Sequence, residues 1–159
     1  MRYVLHSFPF SNYCEKARWA LDHLGVEYDE VTHHPGTHVR AIKRLSGQTA
    51  VPVLEDGAEV IAGSAAIIEH VVKGLPQSDL LPAEHATEIW EWQNRLDEVG
   101  ATVRGVLFYQ ILSNPAFAIG LLSAGQKRPL AGYGVFFRTM IPMLKRMLRK
   151  RLPDEARAR

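Results

Sequence analysis

The spacing of apolar and polar positions changes near residue 75. Before it, short runs rich in β-formers alternate with stretches of helical periodicity. This part of the pattern predicts strands at residues 2–7, 26–31, 51–54 and 59–62, and helices at 13–24, 39–45 and 64–74. The order is βαβ followed by ββα, which indicates an α/β domain.

Local signals mark where these elements begin and end. Asn12 is expected to cap the first helix, with Glu15 in the capping-box position, and Gly25 is expected to stop it. Asp56-Gly57 between two apolar runs predicts a hairpin. Ser64 is expected to cap the third helix.

Beyond a proline-bounded linker at residues 76–82, the spacing is helical. A long helix is predicted over 83–110, a break at Ser113-Asn114 with Pro115 restarting the helix, and an apolar helical face after Gly134. We therefore expect an α/β domain at 1–75 and an all-α domain at 83–159, the latter either shortened or incomplete.

The composition is that of a globular protein: 47% of the 159 residues are hydrophobic and the net charge is +2. Cys14 is the one cysteine, so no disulfide forms within the chain. With an N-terminus that does not resemble a signal peptide, this favours a cytoplasmic protein.

Charge is distributed unevenly in the second half. Residues 105–126 carry no charged side chain, and we expect them to form two buried helices that wall a hydrophobic pocket. From Lys127 onward, ten Lys and Arg face two Asp and Glu. A solvated helix face explains that excess more simply than a nucleic acid or a membrane surface does.

Four segments together resemble the N-terminal domain of the glutathione-transferase superfamily. In chain order they are FPFSNYCEKARWAL at 8–21, GVEYDEV at 25–31, VPVLEDG at 51–57 and IAGSAAIIEHV at 61–71. The resemblance implies a thioredoxin-like domain followed by a helical domain, with glutathione as co-substrate and a homodimer as the assembly.

The resemblance also assigns roles to particular residues. Ser11 would address the glutathione sulfur and favour its thiolate, although a plain helix cap remains an alternative. Val51-Pro52 would be a cis bond that turns the Val51 backbone toward a peptide-like ligand, and Ser64 would bind the γ-glutamyl carboxylate at a helix N-terminus.

Two positions depart from the family pattern. Gly63 stands where an acidic or amide residue is usual, and Ala50 stands where Gln or Lys is frequent. We therefore expect glutathione to bind weakly at a site formed by Val51, Pro52, Gly63 and Ser64. Gly63→Glu should tighten it unless the glycine has a positive φ.

Other chemistry has less support. Cys14 is a minor redox candidate and more simply a small buried hydrophobe. The histidines at 33, 34 and 38 lack supporting ligands at metal-site spacing, so no metal is expected. No phosphate-binding loop occurs in the sequence.

The leading hypothesis is a transferase that adds the glutathione thiolate to a small hydrophobic electrophile. The alternatives are a non-catalytic binding module of the same fold and, less favoured, a peripheral membrane protein.

Overall fold

Ten elements follow one another in the computed structural model, which describes residues 2–75, 78–124 and 131–150. They are β1 (Tyr3–Ser7), α1 (Asn12–His23), β2 (Tyr28–Thr32), α2 (Val39–Ser46), β3 (Val53–Asp56), β4 (Glu59–Ala62), α3 (Ser64–Gly74), α4 (Ala86–Ile111), α5 (Pro115–Ser123) and α6 (Tyr133–Arg149). The expected class, a thioredoxin-like α/β part followed by helices, is confirmed.

The four strands form one mixed sheet in the order β2-β1-β3-β4. β1 pairs with β2 in parallel, whereas β3 runs antiparallel to both β1 and β4. β4 therefore runs in the same direction as β1 and β2. The carboxyl ends of these three strands meet the amino end of β3 at one edge of the sheet.

A cluster of buried apolar side chains lies on one face of this sheet. Leu5 of β1 is paired with Leu54 of β3, and both are fully buried. α1 and α3 cover them and contact each other. The helices contribute buried apolar side chains at helical spacing: Ala17, Leu21, Ile67 and Val71. This packing fixes both the register of β1 with β3 and the position of the two helices.

The end of α1 explains why β2 begins later than the pattern predicts. Gly25 has a φ of 64°, its N–H donates to Asp22 O, and the Val26 N–H donates to Leu21 O. These two bonds form a Schellman motif, and Val26 packs against the core cluster as the motif requires. Val26 thus belongs to the helix stop, and the strand starts at Tyr28.

The helical part is a unit of its own and contains residues 83–121 and 131–150. α4 contacts α6, and the buried side chains of α6 are Tyr133, Phe137 and Ile141. Pro115 opens α5, where Asn114 Oδ1 accepts the Phe117 N–H. The restart predicted at Pro115 is confirmed.

The expectation of two buried helices over residues 105–126 is wrong for α4, which contains no buried residue and leaves Leu107 55% exposed. α5 buries Ala118 and Leu122 but leaves Phe117 57% exposed. An absence of charge indicates an apolar surface but does not say what covers it. Residues 125 and 126 lie outside the described part of the chain. Among the described residues, no helix is long and apolar enough to cross a membrane.

A core truncation should test the packing that sets the register. Leu54→Ala should lower the free energy of unfolding by about 2–5 kcal/mol, because Leu54 is fully buried between two helices and β1. Val60→Ala, in the neighbouring strand and 40% exposed, is the control and should change it by less than about 1 kcal/mol. Equal losses in urea unfolding would contradict this description of the core.

Candidate functional site

Three segments singled out in the sequence meet at the edge where β1 ends and β3 begins. The pairing of His6 with Val53 and of Val53 with Ala62, continued by one residue, sets Ser7, Pro52 and Gly63 side by side. The Gly63 N–H donates to Pro52 O at 2.9 Å, as this arrangement requires. The loop before α1, the Val51-Pro52 bond and the start of α3 therefore share one edge.

Ser11 is the N-cap of α1. Its backbone is extended, with φ −89° and ψ 121°, and its Oγ accepts the Cys14 N–H at 3.3 Å. The expectation that Asn12 caps the helix is wrong, because Asn12 is already the first helical residue. The cap uses one lone pair of the Ser11 hydroxyl, and rotation about the Cβ–Oγ bond can direct its O–H either to the Cys14 thiol or to a ligand.

A short loop carries Ser11 to this position. The Ser11 N–H donates to Phe8 O at 3.3 Å, and the Phe8 N–H donates to Cys14 Sγ at 3.4 Å. Phe8 and Phe10 stack with their ring centres 5.5 Å apart. These two hydrogen bonds connect Phe8, at the start of the loop, to Ser11 and Cys14 at the start of α1.

The Val51-Pro52 peptide bond is cis, as predicted. β3 begins at Val53, two residues later than the sequence pattern suggests. Val51 thus precedes the first paired residue of the strand, and its backbone groups lie outside the sheet ladder.

The segment leading to Val51 is fixed by a histidine. His38 Nε2 donates to Thr49 O at 3.0 Å, while its Nδ1 accepts the Gly36 N–H. These bonds define the tautomer, and burial lowers the pKa of His38. Sequence reasoning considered His38 only as a metal ligand and missed this contact.

Gly63, not Ser64, is the N-cap of α3. Gly63 has φ 96° and ψ 141°, a backbone conformation that residues other than glycine rarely adopt. Ser64 is the first residue of the helix and is 5% exposed. No hydrogen-bond partner of its hydroxyl lies among the described residues. The expectation that Ser64 caps the helix is wrong, and the backbone conformation accounts for the glycine.

Cys14 faces the interior and is fully buried. Burial raises the pKa of its thiol, and this effect outweighs the hydrogen bonds from the Ser11 side chain and the Phe8 backbone. A neutral, enclosed thiol is a poor redox group. The structure therefore favours Cys14 as part of the core.

A histidine pair lies on the opposite face of the sheet from Leu5. His6 Nε2 is 2.7 Å from Glu55 Oε1, and His6 Nδ1 is 2.9 Å from His33 Nε2. Burial, together with the neighbouring histidines, lowers the pKa of His33 to about 4. No metal-binding cluster of three His, Cys, Asp or Glu side chains occurs within residues 2–75, 78–124 and 131–150.

Arg18 is the functional candidate that sequence reasoning missed. Its guanidinium binds Glu30 of β2 and the carbonyl of Pro9 in the loop before Ser11. The only hint in the sequence is the Glu15–Arg18 spacing on one helix face; the partner twelve residues away is set by the fold.

The helical unit contains a groove between α4 and α6, with a volume of about 180 Å³. Its lining is apolar: Phe108, Leu112, Phe137, Leu144, Met147 and Leu148. Of residues 105–126, only Phe108 and Leu112 are among these lining residues, and the other four belong to α6.

Replacing Gly63 should reveal the strain that its φ imposes on any other residue. Gly63→Ala should destabilise the protein by about 1–3 kcal/mol, although a Cβ there meets nothing within 4 Å. Gly74→Ala, at the last position of α3 and equally unobstructed, is the matched control and should be neutral or slightly stabilising. Chemical denaturation of both variants measures the difference, and equal stabilities would contradict the backbone argument.

His33 should make the fold sensitive to mild acid. Its pKa is lowered in the folded protein from 6.5 to about 4, so the unfolded chain takes up the proton first. Stability from this group is complete above pH 6.5 and falls as the pH drops toward 4. His33→Gln should flatten thermal stability across this window, whereas the exposed His85→Gln should not. Parallel curves for wild type and His33→Gln would contradict the assignment.

The first part of the chain is similar to proteins of one known family. Residues 5–78 match the family model of the glutathione S-transferase N-terminal domain. A maleylpyruvate isomerase of Ralstonia sp. is 39% identical over 83 residues, which is 50% of this chain and 39% of that protein. A glutathione S-transferase of Pseudomonas putida is 31% identical over 80 residues, which is 50% of this chain and 36% of that protein.

A solved structure shares the fold. The beta-etherase LigF of Sphingobium sp. strain SYK-6 aligns with a TM-score of 0.64 and 22% identity, over 99% of this chain and 67% of LigF. This likeness concerns the fold. The chain covers about two fifths of the length of the two sequence relatives. Residues 5–78 therefore belong to the glutathione S-transferase N-terminal domain family.

Proposed function

We propose that this chain binds glutathione at the shared sheet edge and adds its thiolate to a small hydrophobic electrophile. The observation that carries the proposal is the meeting of the Ser11 hydroxyl, the Val51 backbone and the start of α3 at that edge. The domain at residues 1–75 would hold glutathione, and the helices at 83–159 would form the second domain.

Ser11 would provide the chemical step. Its O–H donates to the glutathione sulfur, and the N-terminal end of α1 adds a positive potential that favours thiolate over thiol. The thiol proton leaves to solvent. The sulfur lone pair then forms a bond to the electrophilic carbon, whose displaced electron pair goes to the leaving group or to a neighbouring acceptor atom.

The backbone would hold the rest of the ligand. Val51 offers an N–H and a C=O outside the sheet ladder, which suits pairing with the extended peptide part of glutathione. Ser64 brings a hydroxyl and the first N–H groups of α3 to the γ-glutamyl carboxylate. Gly63 supplies no side chain, so the ligand ammonium finds less support there.

The helical unit, taken alone, supports the proposal of a hydrophobic electrophile. Its groove is lined by aliphatic and aromatic side chains with no charged group among them.

The apolar stripe of α4, with Trp92, Leu96, Val99, Val103 and Leu107 each at least 51% exposed, supports a homodimer. A cytoplasmic location remains part of the proposal.

A second activity uses the same first step. The maleylpyruvate isomerase of Ralstonia sp. is 39% identical to this chain over 83 residues, and its name motivates isomerisation as a second candidate. A thiolate that adds to a conjugated double bond and then leaves again, after rotation about that bond, gives isomerisation with no net consumption of glutathione. A non-catalytic module would bind glutathione and perform neither reaction.

Substitutions of Ser11 separate the cap from the chemistry. Ser11→Thr keeps the hydroxyl. Ser11→Gly removes it, and the weaker cap lowers the free energy of unfolding by only about a few tenths of a kcal/mol. Conjugation of glutathione to a small aromatic halide should therefore persist in Ser11→Thr and fall on the order of 10²-fold in Ser11→Gly.

Calorimetry with glutathione and S-methylglutathione supplies the controls for this experiment. The S-methyl analogue has no thiol to ionise, so its affinity should be the same in wild type and Ser11→Gly. Binding without turnover in the wild type would favour the non-catalytic module. Full turnover by Ser11→Gly would show that Ser11 only caps α1.

A further inference from the structure

Arg18 lies on α1 with its guanidinium turned away from solvent; its side chain is only 14% exposed. Nη1 donates to Glu30 Oε1 at 2.7 Å, and Nε and Nη2 donate to Glu15 Oε2 at 2.9 and 2.7 Å. Nη2 also donates to Pro9 O at 3.3 Å. One side chain thus joins a helix, a strand and a loop.

The strand end of this network is itself anchored. Glu30 is 21% exposed, and its Oε1 also accepts the Ser7 O–H at 2.6 Å. Ser7 is fully buried at the last position of β1. The carboxylate is therefore fixed between two neighbouring strands, which makes it a rigid support for the arginine.

The loop end is where the arginine acts. Pro9 is in the middle of the loop that is closed by the Ser11 N–H to Phe8 O bond and by the Phe8 N–H to Cys14 Sγ bond. Both of those bonds are at or beyond 3.3 Å, and a thiol is a weak acceptor. The contact from Arg18 adds a charge-assisted donor to the same loop.

We propose that Arg18 is a positioning residue that holds the Phe8–Ser11 loop, so that the Ser11 hydroxyl stays directed at the ligand sulfur. This inference rests on the proposed function for its catalytic consequence, but its structural part stands on the loop alone. Arg18 itself touches neither the ligand nor the reacting atoms in this proposal.

The geometry requires the planar fork and not merely a positive charge. Three nitrogens of one guanidinium reach acceptors on β2, on α1 and in the loop. A lysine ammonium presents its donors from a single atom and cannot keep the same three directions. Lysine should therefore preserve the ion pair with Glu30 and lose the Pro9 contact.

The experiment compares Arg18→Lys, Arg18→Gln and Glu15→Gln with the wild type in the full chain. Glu15 binds the same guanidinium from an exposed position, with 68% of its side chain in solvent. Glu15→Gln is thus the matched control that perturbs the network while leaving the Glu30 and Pro9 contacts in place. Urea unfolding establishes that each variant is folded.

The first measurement is amide hydrogen exchange without ligand. In Arg18→Lys, exchange at Ser11 and Cys14 should quicken at least about tenfold, while the core amide of Leu54 keeps its wild-type rate. Glu15→Gln should leave all three amides unchanged. Uniform acceleration across the domain, or none at Ser11, would overturn the positioning role.

The second measurement is the pH profile of glutathione conjugation. Arg18→Lys should lower kcat by about 10- to 100-fold and shift the acidic limb of kcat to higher pH, with little change in KM for glutathione. A lysine variant with the wild-type kcat and profile would overturn the proposal.

The experiment distinguishes a failure of the proposed function from a failure of the positioning role of Arg18. If the wild type neither binds nor conjugates glutathione, the proposed function fails, while the exchange data still decide whether Arg18 holds the loop. If the wild type is active and Arg18→Lys matches it in kcat, profile and exchange, the positioning role alone is wrong. Arg18→Gln should reproduce the loss in kcat and also reduce stability, because Glu30 then lacks its cation.

Discussion

The antiparallel placement of β3 between two strands of the opposite direction is the constraint on which the candidate site depends. It sets the beginning of β3 beside the ends of β1 and β4. The pairing of Leu5 with Leu54 fixes this alignment, because a shift of β3 by one residue would turn Leu54 out of the core. Burial of the core thus determines which backbone groups meet at the edge.

At that edge, one set of groups serves both folding and the proposed chemistry. The Ser11 oxygen satisfies an N–H at the start of α1 and leaves the hydroxyl proton to donate. Gly63 allows the chain to turn from β4 into α3 with a φ of 96°. The departure from the family pattern at this position therefore has a conformational cause. A Gly63→Glu substitution would force a side-chain-bearing residue into this strained backbone conformation.

Features with a local cause were predictable from the sequence. Gly25 ends α1, Asp56-Gly57 joins β3 to β4, and Pro115 opens α5, because each depends on a few neighbouring residues. The N-caps of α1 and α3 were predicted one residue too late, at Asn12 and Ser64. The sequence pattern does not show which residue is the last non-helical one before each helix. Arg18 and Glu30 meet only through the packing of α1 on the sheet, and no short-range pattern predicts that.

Burial and the position of the helix end distinguish the Cys14 sulfur from the sulfur of a ligand bound beside Ser11. Cys14 is fully buried, and burial outweighs the hydrogen bonds from Ser11 and Phe8 and the nearby Arg18 charge, so the pKa of its thiol is raised. As a neutral thiol it can accept the Phe8 N–H and close the loop. A ligand sulfur beside Ser11 would meet the same helix end without being enclosed in the core. In the proposed function, the favourable field of α1 therefore acts on the ligand thiolate, while the protein thiol keeps the loop in place.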